Sequence, residues 1–121
     1  MKGDIPARQA AERRSYTGPP RRLEREGLFM LEQQGDSRFV SQPLPSALIR
    51  LYGGQVMAQA LMAAQRTVED GKRPANCHAM FQTPGDIAVP ISFDIERDSD
   101  GRSFSARRIV ARQGDAIILA M

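Results

Sequence analysis

Tyr52-Gly-Gly-Gln-Val-Met-Ala-Gln-Ala-Leu-Met-Ala-Ala-Gln-Arg-Thr-Val-Glu-Asp-Gly71 is the stretch that decides how this chain folds. At about 100° per residue, Val56, Met57, Ala60, Leu61, Ala63, Ala64 and Val68 fall on one broad face. Gln55, Gln59, Arg66 and Glu69 fall on the other. The pattern predicts a single long amphipathic helix, from about Gly54 to Glu69. Its Ala-rich face is slim, so it can approach another surface closely. Gly53 and Gly54 suit a tight turn into the helix, and Gly71 suits a left-handed exit. Strand-like segments follow Gly71, and a lone helix beside a run of strands buries its apolar face against their sheet.

Composition sets the limits. The chain has 121 residues, 41% of them hydrophobic and 26% charged, which fits one globular domain with a modest core. The single cysteine, Cys77, allows no intrachain disulfide and favours a reducing, cytoplasmic setting. The single histidine, His78, excludes a multi-histidine metal site, and no metal is expected. A net charge of +3, from 17 Lys+Arg against 14 Asp+Glu, is too balanced to imply nucleic acid. No apolar run reaches the roughly 18–20 residues that span a bilayer.

Residues 1–22 read as a flexible basic tail with Pro6, Pro19 and Pro20 and no apolar period. Its arginines could meet RNA, but Tyr16 is its only aromatic, so base stacking has no platform. The domain is expected over 23–121. Leu23–Gln33, with Leu28, Phe29, Met30 and Leu31 as a buried segment, predicts the first strand, and Gly35–Leu48 reads as a loop. Ile49–Tyr52 leads into the helix. Asn76–Thr83 can be a strand, with Cys77, Ala79 and Phe81 on one side. Pro84-Gly85-Asp86 breaks it. Ile91–Glu96 alternates strictly, as a half-buried strand does. Asp98–Arg102 is read as a hairpin turn, and Ser103–Arg112 as its partner strand with Phe104, Ala106 and Val110 in phase. Adjacent Arg107 and Arg108 must point to opposite faces, which predicts a bulge or a polar pocket. Gln113–Asp115 turns again, and Ala116–Met121 is an apolar strand expected near a sheet edge. The result is an α+β fold: one strand, the helix, then four strands, the last three in an antiparallel meander.

Three blocks of residues are familiar in this order. Leu51-Tyr-Gly-Gly-Gln-Val-Met-Ala-Gln-Ala-Leu61, His78-Ala-Met-Phe-Gln-Thr-Pro-Gly-Asp86 and Asp100-Gly-Arg-Ser-Phe-Ser-Ala-Arg-Arg-Ile-Val110 resemble the type II (TesB-type) acyl-CoA thioesterases. The resemblance runs from about Leu23 to Met121. It implies a hotdog fold, an antiparallel sheet wrapped around one long helix. It also implies hydrolysis of fatty acyl-CoA to fatty acid and coenzyme A, with water as nucleophile and no cofactor. Family members carry two hotdog units, and this chain resembles the first. The family's Asp, Thr and Gln catalytic set belongs to the second unit and matches nothing in this sequence. The family's last strand continues past the position of Met121, and Thr83 stands where the family usually has Arg.

The chemistry can be approached from the residues as well. Thioester hydrolysis needs an activated water and donors for the developing oxyanion. Backbone amides at Gly53, Gly54 and Gln55 could be such donors, although the glycines are equally readable as a tight turn. Gln55 and Gln59, one turn apart, could hold a water or the carbonyl, or form an ordinary polar stripe. Arg107 and Arg108 could bind coenzyme A phosphates, or pair with Asp94 or Glu96 on the neighbouring strand. His78 could act as a base, against the plainer reading of a core or interface histidine. Asp86 is most simply a turn residue. Cys77 and His78 point to opposite faces of one strand, which argues against a Cys-His dyad. Gln55, His78 and Asp86 are therefore weak catalytic candidates, and the general base is not identified.

Two functional expectations result. One is an acyl-CoA thioesterase, or its first unit. The other is a non-catalytic hotdog module that binds acyl-CoA or assembles with a catalytic hotdog partner. Alone, the chain is expected to be inactive, and to form a homo-oligomer or dock onto a second unit.

Overall fold

The computed structural model describes residues 30–43 and 53–121. The expectations for the basic tail, for Leu28 and Phe29 and for Ile49–Tyr52 lie outside these residues. Two short strands, β1 (Leu31–Gln33) and β2 (Arg38–Ser41), precede the helix α1 (Gly53–Gln65). Four strands follow: β3 (Met80–Phe81), β4 (Ser92–Asp100), β5 (Ser105–Gln113) and β6 (Ala116–Ala120). They form one six-stranded sheet in the order β1-β2-β4-β5-β6-β3, antiparallel at every pairing. The helix lies against β2, β4 and β5. This is the hotdog arrangement, and the β4–β5–β6 meander is as predicted.

One row of side chains shows why the sheet holds its helix. Phe39, Phe93, Ala111, Leu119 and Phe81 stand opposite one another across five adjacent strands. The first four are fully buried, and Ala60, Ala63 and Val56 of α1 are buried in the same cluster. Small residues on the helix let it sit close to this row, and each buried aliphatic or aromatic side chain contributes about 1.5–3 kcal/mol.

Several boundaries differ from the sequence reading. The expected Gly35–Leu48 loop contains β2. Gly35 does turn, at a φ of 94°, but Phe39 and Ser41 behind it are buried in the sheet. Ser41 exchanges backbone and side-chain bonds with Ile91 (Ser41 N to Ile91 O 2.9 Å; Ile91 N to Ser41 Oγ 2.9 Å). Of the segment expected to be buried before it, Leu31 is buried but Met30 is 67% exposed.

The helix ends at Gln65 rather than near Glu69. The Thr67 hydroxyl donates to Ala64 O at 2.7 Å, and the amides of Thr67 and Val68 bond three residues back, to Ala64 and Gln65. Such local bonds tighten and terminate a helix. Gly71 does adopt a positive φ of 91°, in the turn beyond.

The strand expected over Asn76–Thr83 is reduced to Met80–Phe81, paired with Ala120 and Leu119. β3, rather than β6, is therefore the outer strand on that side. β4 runs on to Asp100, so the hairpin turn lies at Gly101–Phe104, closed by Gly101 N to Phe104 O at 2.7 Å. In β5 the expected phase is inverted: Ile109 and Ala111 are buried, while Phe104 is 76% exposed and Ala106 is also exposed. A register shift opposite Arg107, between Arg97 and Ser99 of β4, is the bulge expected beside the paired arginines.

Candidate functional site

The two adjacent arginines do different things. Arg107 points inward, its side chain only 6% exposed. Its guanidinium donates to Thr67 Oγ1 (2.8 Å), Thr67 O (2.9 Å), Ser99 O (3.1 Å) and Asp100 Oδ1 (2.6 Å). It thus ties the turn that ends α1 to the β4–β5 hairpin, where a cation also meets the negative end of the helix dipole. Lys72 reinforces the junction by donating to Gly101 O and to Ser105 Oγ. Arg108 points to the outer face and bridges Glu96 (2.8 Å) and Asp98 (2.9 Å). Asp94 pairs instead with Arg38 and Arg112. The hydrogen bond from Arg108 holds the Asp98 carboxyl below its ordinary range, and the hydrogen bond from Arg107 does the same for Asp100. The bond to Asp98 in turn raises Arg108. Both arginines are engaged by groups of their own fold, and a phosphate would have to compete with those partners.

Gly53, Gly54 and Gln55 open α1, and no acidic residue lies in its first turn. A Cβ built on Gly53 would meet Phe81 Cζ at 3.0 Å, so glycine at this position lets the Phe81 ring close on the helix start. Gln55 is half-buried. Gln59, expected on the polar face, is only 1% exposed.

Asp86 is a turn residue bonded to the end of β5. Its Oδ1 accepts from Ala88 N (2.8 Å), its own amide donates to Gln113 Oε1 (2.8 Å), and Gln113 Nε2 donates back to Asp86 O (2.7 Å). His78 and Cys77 are exposed, in the stretch before β3 that forms no regular element.

Beside that stretch lies a cleft of about 620 Å³, lined by residues 73–78, by Ser105 and Arg107, by Leu61 and Ala64 of α1, by Val68 beyond the helix, and by Met121. Of the residues singled out from sequence, the structure brings together Cys77, His78 and Arg107 at this cleft; Cys77 and His78 do not lie on opposite faces of a strand, because no strand forms there. Gly53, Gly54, Gln55 and Gln59 belong to the other half of α1, Asp86 to the β5–β6 end, and Arg108 to the outer face. Thr67, Asp100, Lys72 and Gln113 had no signal in the sequence, because each acts through a partner 7 to 40 positions away. Among the described residues, no cluster of His, Cys, Asp and Glu could hold a metal, and no helix is long and apolar enough to cross a membrane.

Comparison with known proteins agrees with this architecture. The family described as acyl-CoA thioesterase N-terminal domain matches residues 40–121. The chain is 38% identical over 86 residues to acyl-CoA thioesterase 2 of Haemophilus influenzae, covering 71% of this chain and 30% of that protein. It is 42% identical over 71 residues to acyl-coenzyme A thioesterase 8 of Mus musculus, covering 58% and 22%. Among solved structures, a TesB protein of Mycobacterium avium subsp. paratuberculosis superposes with a TM-score of 0.71 at 43% identity, covering 78% of this chain and 38% of that one. The acyl-CoA thioesterase II TesB2 of Mycobacterium marinum gives 0.70 at 32%, covering 78% and 34%. The chain thus spans between 22% and 38% of the length of these proteins. Matched over most of its length by sequence and by fold, the chain belongs to the acyl-CoA thioesterase N-terminal domain family.

Proposed function

We propose that this chain is the first hotdog unit of a fatty acyl-CoA thioesterase and supports hydrolysis only together with a second hotdog unit that carries the general base. The observation that carries this reading is the helix itself: α1 offers amides at Gly53–Gln55 but has no carboxylate anywhere along its length. Amide donors can stabilise an oxyanion, whereas a general base is worth about 10²–10⁴-fold in rate. The relatives' names supply the substrate class, acyl-CoA. In this reading Gly53, Gly54, Gln55 and Gln59 face the thioester, and no metal or cofactor takes part.

The β3 edge is the natural place for the second unit to dock. Met80 and Phe81 are 58% and 53% exposed there, on a strand two residues long. A reducing compartment, the cytoplasm, suits a chain whose single cysteine is free and exposed.

The test is a thiol-release assay on purified 1–121 with a long-chain acyl-CoA, beside Gln55→Ala and His78→Ala. Negligible turnover is expected from all three. Robust turnover by the wild type that is lost in either variant would overturn the proposal and locate a base within this unit.

A further inference from the structure

The sequence contains two Asp-Gly steps, Asp70-Gly71 and Asp100-Gly101, and the fold places them in opposite surroundings. At such a step the glycine amide nitrogen can attack the aspartyl Cγ, since no side chain on the glycine obstructs it. An N–Cγ bond forms, the carboxyl O–H and the amide proton leave as water, and a succinimide ring closes. Water then opens the ring at either carbonyl. Attack at Cγ restores aspartate. Attack at the aspartyl backbone carbonyl breaks its bond to nitrogen and leaves the chain running through Cβ and Cγ, as isoaspartate. The reaction needs a carboxyl that can take a proton, a glycine N–H that no acceptor holds, and room for the two to meet.

Asp100-Gly101 lacks all three. The Asp100 carboxylate is held by Arg107 at 2.6 Å, a bond that favours its ionised form. Gly101 N donates to Phe104 O at 2.7 Å, inside the β4–β5 hairpin. The space is tight as well, since a Cβ built on Gly101 would meet Phe104 O at 2.9 Å.

Asp70-Gly71 has all three. Both residues are exposed, in the turn beyond α1. Among the described residues, neither the Asp70 carboxylate nor the Gly71 amide has a hydrogen-bond partner. A Cβ built on Gly71 meets nothing within 4 Å. The turn itself is closed by a long bond, Lys72 N to Glu69 O at 3.4 Å.

We propose that Asp70 is a site of spontaneous covalent modification, cyclising with Gly71 and opening to isoaspartate, and that Asp100 is kept from the same reaction by its partners in the fold. The position gives the change a structural consequence. Isoaspartate lengthens the backbone by a methylene between α1 and Lys72. Lys72 O accepts from Gln65 Nε2 at 2.8 Å, and Lys72 Nζ donates to Gly101 O and to Ser105 Oγ. A longer link displaces Lys72 from these partners and loosens the junction between the helix end and the hairpin, so the modified chain melts below the unmodified one.

The test incubates purified 1–121 at neutral pH and physiological temperature, folded or in urea, and follows isoaspartate at both steps by peptide mapping with electron-transfer fragmentation. No acyl-CoA turnover is read, so the result is independent of the thioesterase proposal. In urea the two steps should convert at comparable rates. In the folded protein Asp70 should convert about tenfold or more faster than Asp100, because reaction at Asp100 must first break a charge-assisted hydrogen bond. Asp70→Glu should remove the product from its peptide, and Arg107→Met, checked by circular dichroism to be folded, should raise conversion at Asp100. Equal rates at the two steps in the folded wild type overturn the proposal. So does an unmodified Asp70 in the folded protein, whether or not it converts in urea.

Discussion

Replacing Ala60 with leucine is the sharpest test of how the helix meets its sheet. Ala60 is completely buried, in the cluster that holds Phe93, Ala111 and Leu119, all equally inaccessible. Leucine brings an isopropyl group into a cluster of side chains that are already buried. Overpacking of this kind costs about 1–3 kcal/mol. The transfer gain of roughly 0.8 kcal/mol per buried methylene does not offset it unless the helix moves away from the sheet. For a domain of this size, 1 kcal/mol corresponds to about 4–8 °C in Tm, so Ala60→Leu should melt about 5–20 °C below the wild type.

Ala64 provides the internal comparison. It lies one turn on, is also nearly buried, but borders the cleft. Leucine there can direct its added methyls into open space, so the loss should stay under about 1 kcal/mol. Thermal melts of both variants, followed by circular dichroism, decide the matter. An unchanged Tm for Ala60→Leu, or a larger loss at Ala64 than at Ala60, would refute the placement of this face.

Two further outcomes follow from the Arg107 junction. Arg107→Met leaves Thr67 O without its charged donor in a nearly buried position. It should lower stability by about 1.5–3 kcal/mol in urea unfolding. Arg107→Lys should recover only part of that, since one ammonium cannot reproduce the forked contacts. Asp100 gives a pH signature. Its folded-state pKa lies below the ordinary 3.8, chiefly through the hydrogen bond from Arg107, so its contribution is in place above that value and is lost as pH falls through the folded pKa. Asp100→Asn should therefore be less stable than the wild type at neutral pH and show a shallower loss of Tm below about pH 4; parallel acid limbs for the two proteins would contradict this.

The parts of the fold legible in the sequence are those where one periodicity acts alone. Ile91–Glu96 alternates cleanly because Ile91, Phe93 and Ile95 all reach the core while Asp94 and Glu96 meet arginines outside. The Ala face of α1 is read correctly for the same reason. β2 is hidden because four residues are too few to set a period, and because Gly35-Asp-Ser37 before it and Pro43 after it are genuine turn signals. The phase of β5 is misread because Phe104 is the largest apolar residue in its segment, yet it belongs to the turn. The inward row is Ser105, Arg107, Ile109 and Ala111, half of it polar. A buried arginine satisfied by a helix-terminal threonine cannot be anticipated from local pattern, since the partners are 40 positions apart.

The site was less legible than the fold, and the structure gives the physical reason. Sequence placed candidates by residue type: amides at the helix start, glutamines along it, two arginines for phosphate, one histidine for a base. In three dimensions these groups separate along α1. Its N-terminal half has the amide donors, with the Phe81 ring closing over Gly53. Its C-terminal end is fastened through Thr67 to Arg107 and the β4–β5 hairpin, and Arg108 is held between Glu96 and Asp98 on the far face. A cation engaged by several partners of its own fold is a poor place to seek an anionic ligand, because a phosphate could bind there only by displacing a partner already in place. Under the proposed function, the contribution of this unit to thioester chemistry would lie at Gly53–Gln55, and the carboxylate would come from outside α1, which has none.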